Sequence, residues 1–116
     1  AAIFNSPSKY IQGPDELAKL GSYVEPLGAK ALVIVTLGQE RVGAKIEGGF
    51  AEAKAELLFE DFNGECSKGE VDRLVALARD TVRIIVGVGG GKILDTAKAV
   101  AYYLESPVII CPTIAS

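Results

Sequence analysis

The chain contains no histidine. Catalytic zinc and iron sites ordinarily draw imidazole into their ligand sets, and triad chemistry is built on it. Metal-held or histidine-driven proton chemistry is therefore expected to lie outside these 116 residues. Cysteine is almost as sparse: Cys66 and Cys111 are far apart and match no metal or redox spacing. Both are expected to be structural thiols, Cys111 as a small core residue in an apolar strand. No basic stretch occurs; the net charge is −3 and Lys and Arg are scattered singly, which argues against nucleic acid as a partner. Apolar runs such as Ala31 to Val35 and Val108 to Cys111 are too short to span a bilayer. No charged start leads into an apolar segment with a cleavage site. A cytoplasmic protein without a membrane partner is the expectation.

What the chain does have is the balance of a globular domain, with 49% apolar and 23% charged residues. Its length allows one packed core, so residues 1–116 are taken as one domain. Strand and helix patterns alternate along it. Ala2 to Asn5 and Lys9 to Gln12 are short extended pieces. Gly13-Pro14-Asp15-Glu16 predicts a helix start, with Leu17, Leu20, Val24 and Leu27 at helical spacing. Ala31 to Val35 is a strand covered on both faces. A helix with Val42, Ile46, Phe50 and Ala53 on one side follows, weakened by Gly48-Gly49. A strand near Glu56 to Phe59, an Asn63-Gly64 turn and a capping box from Ser67 to Glu70 come next. The helix so opened buries Val71, Leu74, Val75 and Ala78. Arg83 to Val88 is another buried strand, Lys92 onward a helix lined by Ile93, Ala97, Val100 and Leu104, and Val108 to Cys111 a last strand closed by Pro112. This alternation implies an α/β fold: an open parallel sheet with helices on both faces.

The most informative segment runs from Gly87 to Lys98, a buried strand, then Gly89-Gly90-Gly91, then a helix. Glycines allow a sharp turn and let backbone amides approach a ligand with no Cβ in the way. A helix start adds amides without partners and partial positive charge, which together favour phosphate, and Lys92 adds a full charge. The pattern is neither of the common fingerprints. GxGxxG from Gly87 would need glycine at Lys92, and GxxxxGK[ST] would need glycine at Val86 and a hydroxyl at Ile93. A plain strand-to-helix turn without a ligand is the competing reading. In open parallel sheets ligands sit beyond the carboxyl ends of the strands. Those ends carry Thr36-Leu37-Gly38, Asn63-Gly64-Glu65, Gly89 to Lys92, and Thr113-Ile114-Ala115-Ser116, a small, polar lining suited to a pyrophosphate. Asp95 is expected in the first helical turn, favoured there by the dipole alone, and Lys98 on a solvated face.

Gly89-Gly90-Gly91-Lys92-Ile93-Leu94-Asp95-Thr96-Ala97-Lys98-Ala99 resembles the GGGKTLDTAKA signature of bacterial glycerol dehydrogenases, within the iron- or zinc-containing alcohol dehydrogenases. Pro112 to Ser116 resembles their PTIAS segment, Ser6 to Gly13 their SPxKYIQG start, and Gly64 to Ser67 part of their GGECS turn. The matches run the length of the chain in order. The resemblance implies a Rossmann-like nucleotide-binding domain of the dehydroquinate-synthase-like type, with NAD as cofactor. Gly91 and Lys92 would touch its pyrophosphate, Gly90 would permit the close approach, and Thr113 and Ser116 would flank the cofactor. It also implies a homo-oligomeric parent that oxidises glycerol, or a similar small polyol, to dihydroxyacetone. Zinc in that parent is held by an aspartate and histidines of a later helical domain. Where the family carries an acidic ribose-reading residue this chain has Thr36, which removes the charge that discriminates against a 2′-phosphate. Other polyol or glycerol-1-phosphate dehydrogenases, dehydroquinate synthases and a non-catalytic nucleotide-binding module are the alternatives; the KYIQG and PTIAS matches favour glycerol dehydrogenase.

Overall fold

The computed structural model describes residues 8–12, 15–36, 40–82 and 84–113. The extended piece expected at Ala2 to Asn5 and the helix-opening Pro14 lie outside them. Among the described residues ten elements follow one another: β1 (Ser8–Tyr10), a 3-10 turn (Leu17–Lys19), α1 (Leu20–Val24), β2 (Lys30–Val35), α2 (Glu40–Phe50), β3 (Glu56–Asp61), α3 (Lys68–Ala78), β4 (Ile84–Gly89), α4 (Gly91–Leu104) and β5 (Val108–Pro112). The strands form one sheet in the order β1-β5-β4-β2-β3, and every neighbouring pair is parallel. The α/β parallel architecture expected from the alternating pattern is the one found.

Strand order fixes where the helices go. From β2 the chain steps through α2 to β3 on one side, then α3 carries it back past β2 to β4, and α4 continues the same way to β5. Because parallel crossovers keep a right-handed sense, opposite steps put their helices on opposite faces. Ala31, Val33 and Val35 of β2 and Ile84, Val86 and Val88 of β4 accordingly pack with α1 and α2, through Leu20, Val24, Ile46 and Phe50. Leu32, Ile34, Ile85 and Ile110 pack with α3 and α4, through Leu74, Ala78, Ala97 and Val100. Apolar residues on both sides of the strand are what a two-faced core needs, which is why β2 and β4 lack polar alternation. The outer strand β3 carries Glu56, Glu60 and Asp61, charges that discourage edge pairing.

Two local expectations change. The first helix is broken rather than continuous: a 3-10 turn passes through Lys19 at φ −109°, ψ 6° before α1 begins. Of Gly48-Gly49, expected to weaken α2, Gly49 instead makes its packing possible, whereas a Cβ on Gly48 would meet nothing within 4 Å among the described residues. A Cβ on Gly49 would fall on the Leu17 carbonyl, and one on Gly21 would fall on the Gly49 carbonyl. The close crossing of α2 against the preceding turn and helix thus offsets a propensity cost of about 1 kcal/mol per glycine. β5 runs through Pro112 rather than ending before it. Thr113 N–H donates to Gly89 O on the β4 side, so strand alternation turns position 112 toward β1, whose pairing stops at Tyr10↔Ile110. Among the described residues no helix is long and apolar enough to cross a membrane.

Candidate functional site

The four glycines around the β4–α4 junction have different tasks. A Cβ on Gly87 would lie 2.6 Å from Ala97 Cβ, and one on Gly89 would lie 2.6 Å from Ile93 Cδ1. Spaced two apart, these residues share the strand face that α4 covers, so their missing side chains let the helix settle on β4. Gly89 also sits at φ +149°, a conformation L side chains rarely adopt. Gly90 and Gly91 are different: among the described residues a Cβ on either would meet nothing within 4 Å. Neither has a positive φ; Gly90 caps α4 at φ −87°, ψ −175° and Gly91 is its first residue. Backbone strain in this turn therefore resides at Gly89, a residue that the sequence-based list of contacts omits. The Gly87-x-Gly89 spacing was the signal for it.

Gly90 has no side chain with which to cap the helix. The first helical bond runs from Leu94 N–H to Gly90 O at 3.1 Å, so the amides of Gly91, Lys92 and Ile93 precede the ladder. They open at the carboxyl edge of the sheet. A small anion is what such a helix start accommodates. Starting at Gly91 also moves Asp95 into the second turn rather than the first, where it is exposed, as is Lys98.

Neighbouring strands bring the other expected residues to the same level. Ile34 pairs with Gly87, and two residues further on Thr36 stands level with Gly89, exposed just past β2. On the other side Gly89 pairs with Pro112, and the bond from Thr113 N–H to Gly89 O, 3.0 Å, ties Thr113 to the turn. β2 and β4 are adjacent, yet their following helices leave toward opposite faces. That reversal is the topological switch point, where open α/β sheets form their ligand crevice. Thr36, Gly90, Gly91, Lys92 and Thr113 lie along this carboxyl edge, Thr36 on the β2 side of the turn and Thr113 on the β5 side; Ser116 lies outside the described residues.

Lys92, the second residue of α4, points across the rim. Its Nζ lies 2.9 Å from Glu65 Oε1, in a pair whose side chains are 64% and 71% exposed. Glu65 stands in the β3–α3 loop, which is well anchored. Its N–H donates to Asn63 Oδ1, and Asn63 N–H donates to Glu70 Oε2, each at 3.0 Å. Half of the expected capping box forms: Ser67 Oγ accepts from Glu70 N–H at 3.1 Å. The Glu70 carboxylate, buried, turns instead to the Arg73 guanidinium, with bonds of 2.7 and 2.8 Å. Arg73 also reaches Glu60 Oε1 and Asp61 O, clamping α3 to the end of β3. Those Arg73 bonds hold the Glu70 carboxyl below its ordinary range, and Glu70 and Glu60 in turn raise Arg73. Cys66 in the same loop is exposed, not a core residue, whereas burial pushes the Cys111 thiol up to about 11. A chain of local sequence signals reveals the loop; nothing local revealed that Glu65 would meet Lys92, 27 residues away.

Family comparison agrees with the fold. The model of the iron-containing alcohol dehydrogenases matches residues 7–116. The chain is 50% identical over 121 residues to a glycerol dehydrogenase of Pseudomonas putida, covering 96% of this chain and 31% of that relative. It is 45% identical over 124 residues to one of Escherichia coli, covering 98% of this chain and 32% of the relative. A crystal structure of a probable glycerol dehydrogenase from Sinorhizobium meliloti 1021 superimposes with a TM-score of 0.78 at 40% identity, covering all of this chain and 31% of that one. The chain thus spans about a third of the length of the curated relatives it matches. With a parallel sheet, a glycine turn at its switch point and a match along nearly all of its length, this chain belongs to the iron-containing alcohol dehydrogenase family.

Proposed function

We propose that residues 1–116 form the NAD-binding domain of a glycerol dehydrogenase. The observation that carries this reading is the pair Gly90 and Gly91. Packing accounts for glycine at 87 and 89, but among the described residues no neighbouring atom within 4 Å accounts for it at 90 and 91. A ligand resting on that bare backbone, at the uncapped start of α4, does account for it. Gly91 and Lys92 would hold the pyrophosphate, Gly90 would allow its close approach, Thr113 and Ser116 would flank the cofactor, and Thr36 would face the adenosine ribose. Bound NAD supplies the hydride acceptor for converting glycerol to dihydroxyacetone. This chain's part is to hold and orient that acceptor: amides and an ammonium neutralise the diphosphate, and the rim hydroxyls fix its direction. Among the described residues no group of three or more His, Cys, Asp or Glu is placed to hold a metal ion, so the family's metal is not assigned to them.

The test is calorimetric titration of NAD⁺ into the chain and two variants, with circular dichroism to verify folding. Gly91→Val should abolish binding and leave the fold intact, because its side chain projects into the open space reserved for the phosphate. Lys92→Ala should weaken binding less and reduce its salt dependence, since it removes a screened charge but leaves the amides. Undiminished binding by Gly91→Val together with loss in Lys92→Ala would reduce the glycine turn to a connector beside a charge patch.

A further inference from the structure

We propose that Glu65 sets how tightly this sheet edge takes a diphosphate: its carboxylate pairs with the Lys92 ammonium and must release it when an anionic nucleotide arrives. The inference rests on the assignment of Lys92 to the phosphate site and adds a residue that assignment does not contain. Lys92 follows Gly91 directly, so its ammonium starts beside the uncapped amides of α4. The oxygen it meets, Glu65 Oε1 at 2.9 Å, belongs to another crossover on the rim of the same sheet edge. A phosphate resting at the helix start and the Glu65 carboxylate are then competitors for one cation.

The two ion pairs of this region differ in how easily they open. Glu70 and Arg73 form a two-pronged pair, and the Glu70 side chain is fully buried, so separating them strands a charge away from water. Glu65 and Lys92 make one contact, and both side chains are mostly in solvent. Water replaces either partner at little cost, so the pair is weak and exchangeable. The backbone beneath Glu65 is nevertheless fixed by the Asn63 and Glu70 bonds and by the turn at Gly64, φ +108°. The carboxylate therefore stays near the rim after release, within reach of Lys92 once the nucleotide departs. Glu65 is a positioning residue: it acts on the nucleotide through Lys92.

The experiment is a double-mutant cycle read by titration of NAD⁺ at low ionic strength into the parent chain, Glu65→Gln, Lys92→Ala and the double variant, with Glu65→Ala as a second removal of the charge. Glu65→Gln should bind about two- to five-fold tighter than the parent, the range an exposed ion pair supports. In the Lys92→Ala background the same change should have almost no effect, and the gain should shrink as salt is added. Equal or weaker binding by both Glu65 variants, or a gain that persists undiminished without Lys92, overturns the inference while leaving the cofactor site standing if the parent binds. Absence of NAD⁺ binding from the parent and both Glu65 variants at millimolar concentration overturns the cofactor site and this inference together. Binding by Glu65→Gln where the parent shows none supports both.

Discussion

Gly87→Ala separates the glycines that serve packing from those left for a ligand. The added methyl would lie 2.6 Å from Ala97 Cβ, with Ile93 O at 3.5 Å and Leu94 Cα at 3.7 Å. Carbon atoms are most comfortable at about 3.5–4.0 Å, so α4 must retreat by roughly 1 Å along this line or tilt. It has little room, because Ala97 and Val100 are wholly buried and the helix rests on β4 and β5. Overpacking of this kind costs about 1–3 kcal/mol. Urea denaturation followed by circular dichroism should show a lower midpoint with an unchanged slope, and the thermal midpoint should fall by roughly 4–8 °C per kcal/mol. Ala97→Gly removes the opposing methyl. That change alone costs about 1 kcal/mol of helix stability, but in its presence Gly87→Ala should lose most of its penalty, giving a coupling of about 1–2 kcal/mol. Gly91→Ala, with open space around its Cα, should by contrast leave the fold as stable as the parent or slightly more so. A Gly87→Ala variant within about 0.5 kcal/mol of the parent, or additive effects at 87 and 97, would refute the division of the glycine run into packing and ligand positions.

Arg73→Ala should cost about 2 kcal/mol, because it leaves the buried Glu70 carboxylate with the Asn63 N–H alone; Glu60→Ala, which spares the 70–73 pair, should cost less. Since the Glu70 carboxyl is held below its ordinary value of 4.5, its stabilisation is present above that pH and is lost as pH falls through the lowered native value. Glu70→Gln should therefore flatten the acid limb of a stability-versus-pH curve, and an unchanged limb would argue against the clamp. Thr36→Asp should shift preference toward NAD⁺ over NADP⁺ by about five-fold, the effect of roughly 1 kcal/mol between two solvent-exposed charges at 4 Å. Parallel titrations decide it, and an unchanged ratio would put Thr36 away from the ribose. Thiol titration of the folded chain should give one fast equivalent from exposed Cys66, with Cys111 reacting only after denaturation.

The sequence by itself determined the alternation of strands and helices, the two-faced apolar character of β2 and β4, the Ser67 cap and the place of the glycine turn. These depend on contacts close along the chain or on period, and residues such as Ala31 to Val35 state them directly. Residue resemblance extended this to the family. Strand order was another matter. That β4 inserts beside β2, making a switch point between Thr36 and Gly89, follows from which edge each crossover takes, and no local pattern encodes it. The same limit hid the different tasks of the glycines, since Gly87 and Gly91 are chemically identical and differ only in what stands opposite. It hid why α2 tolerates Gly49, which is explained by the carbonyl of Leu17 on another element. It also hid the meeting of Lys92 with Glu65. Periodicity reports which face of an element is buried; the partner on that face, and the space left where there is none, are set by the packing of segments remote in sequence.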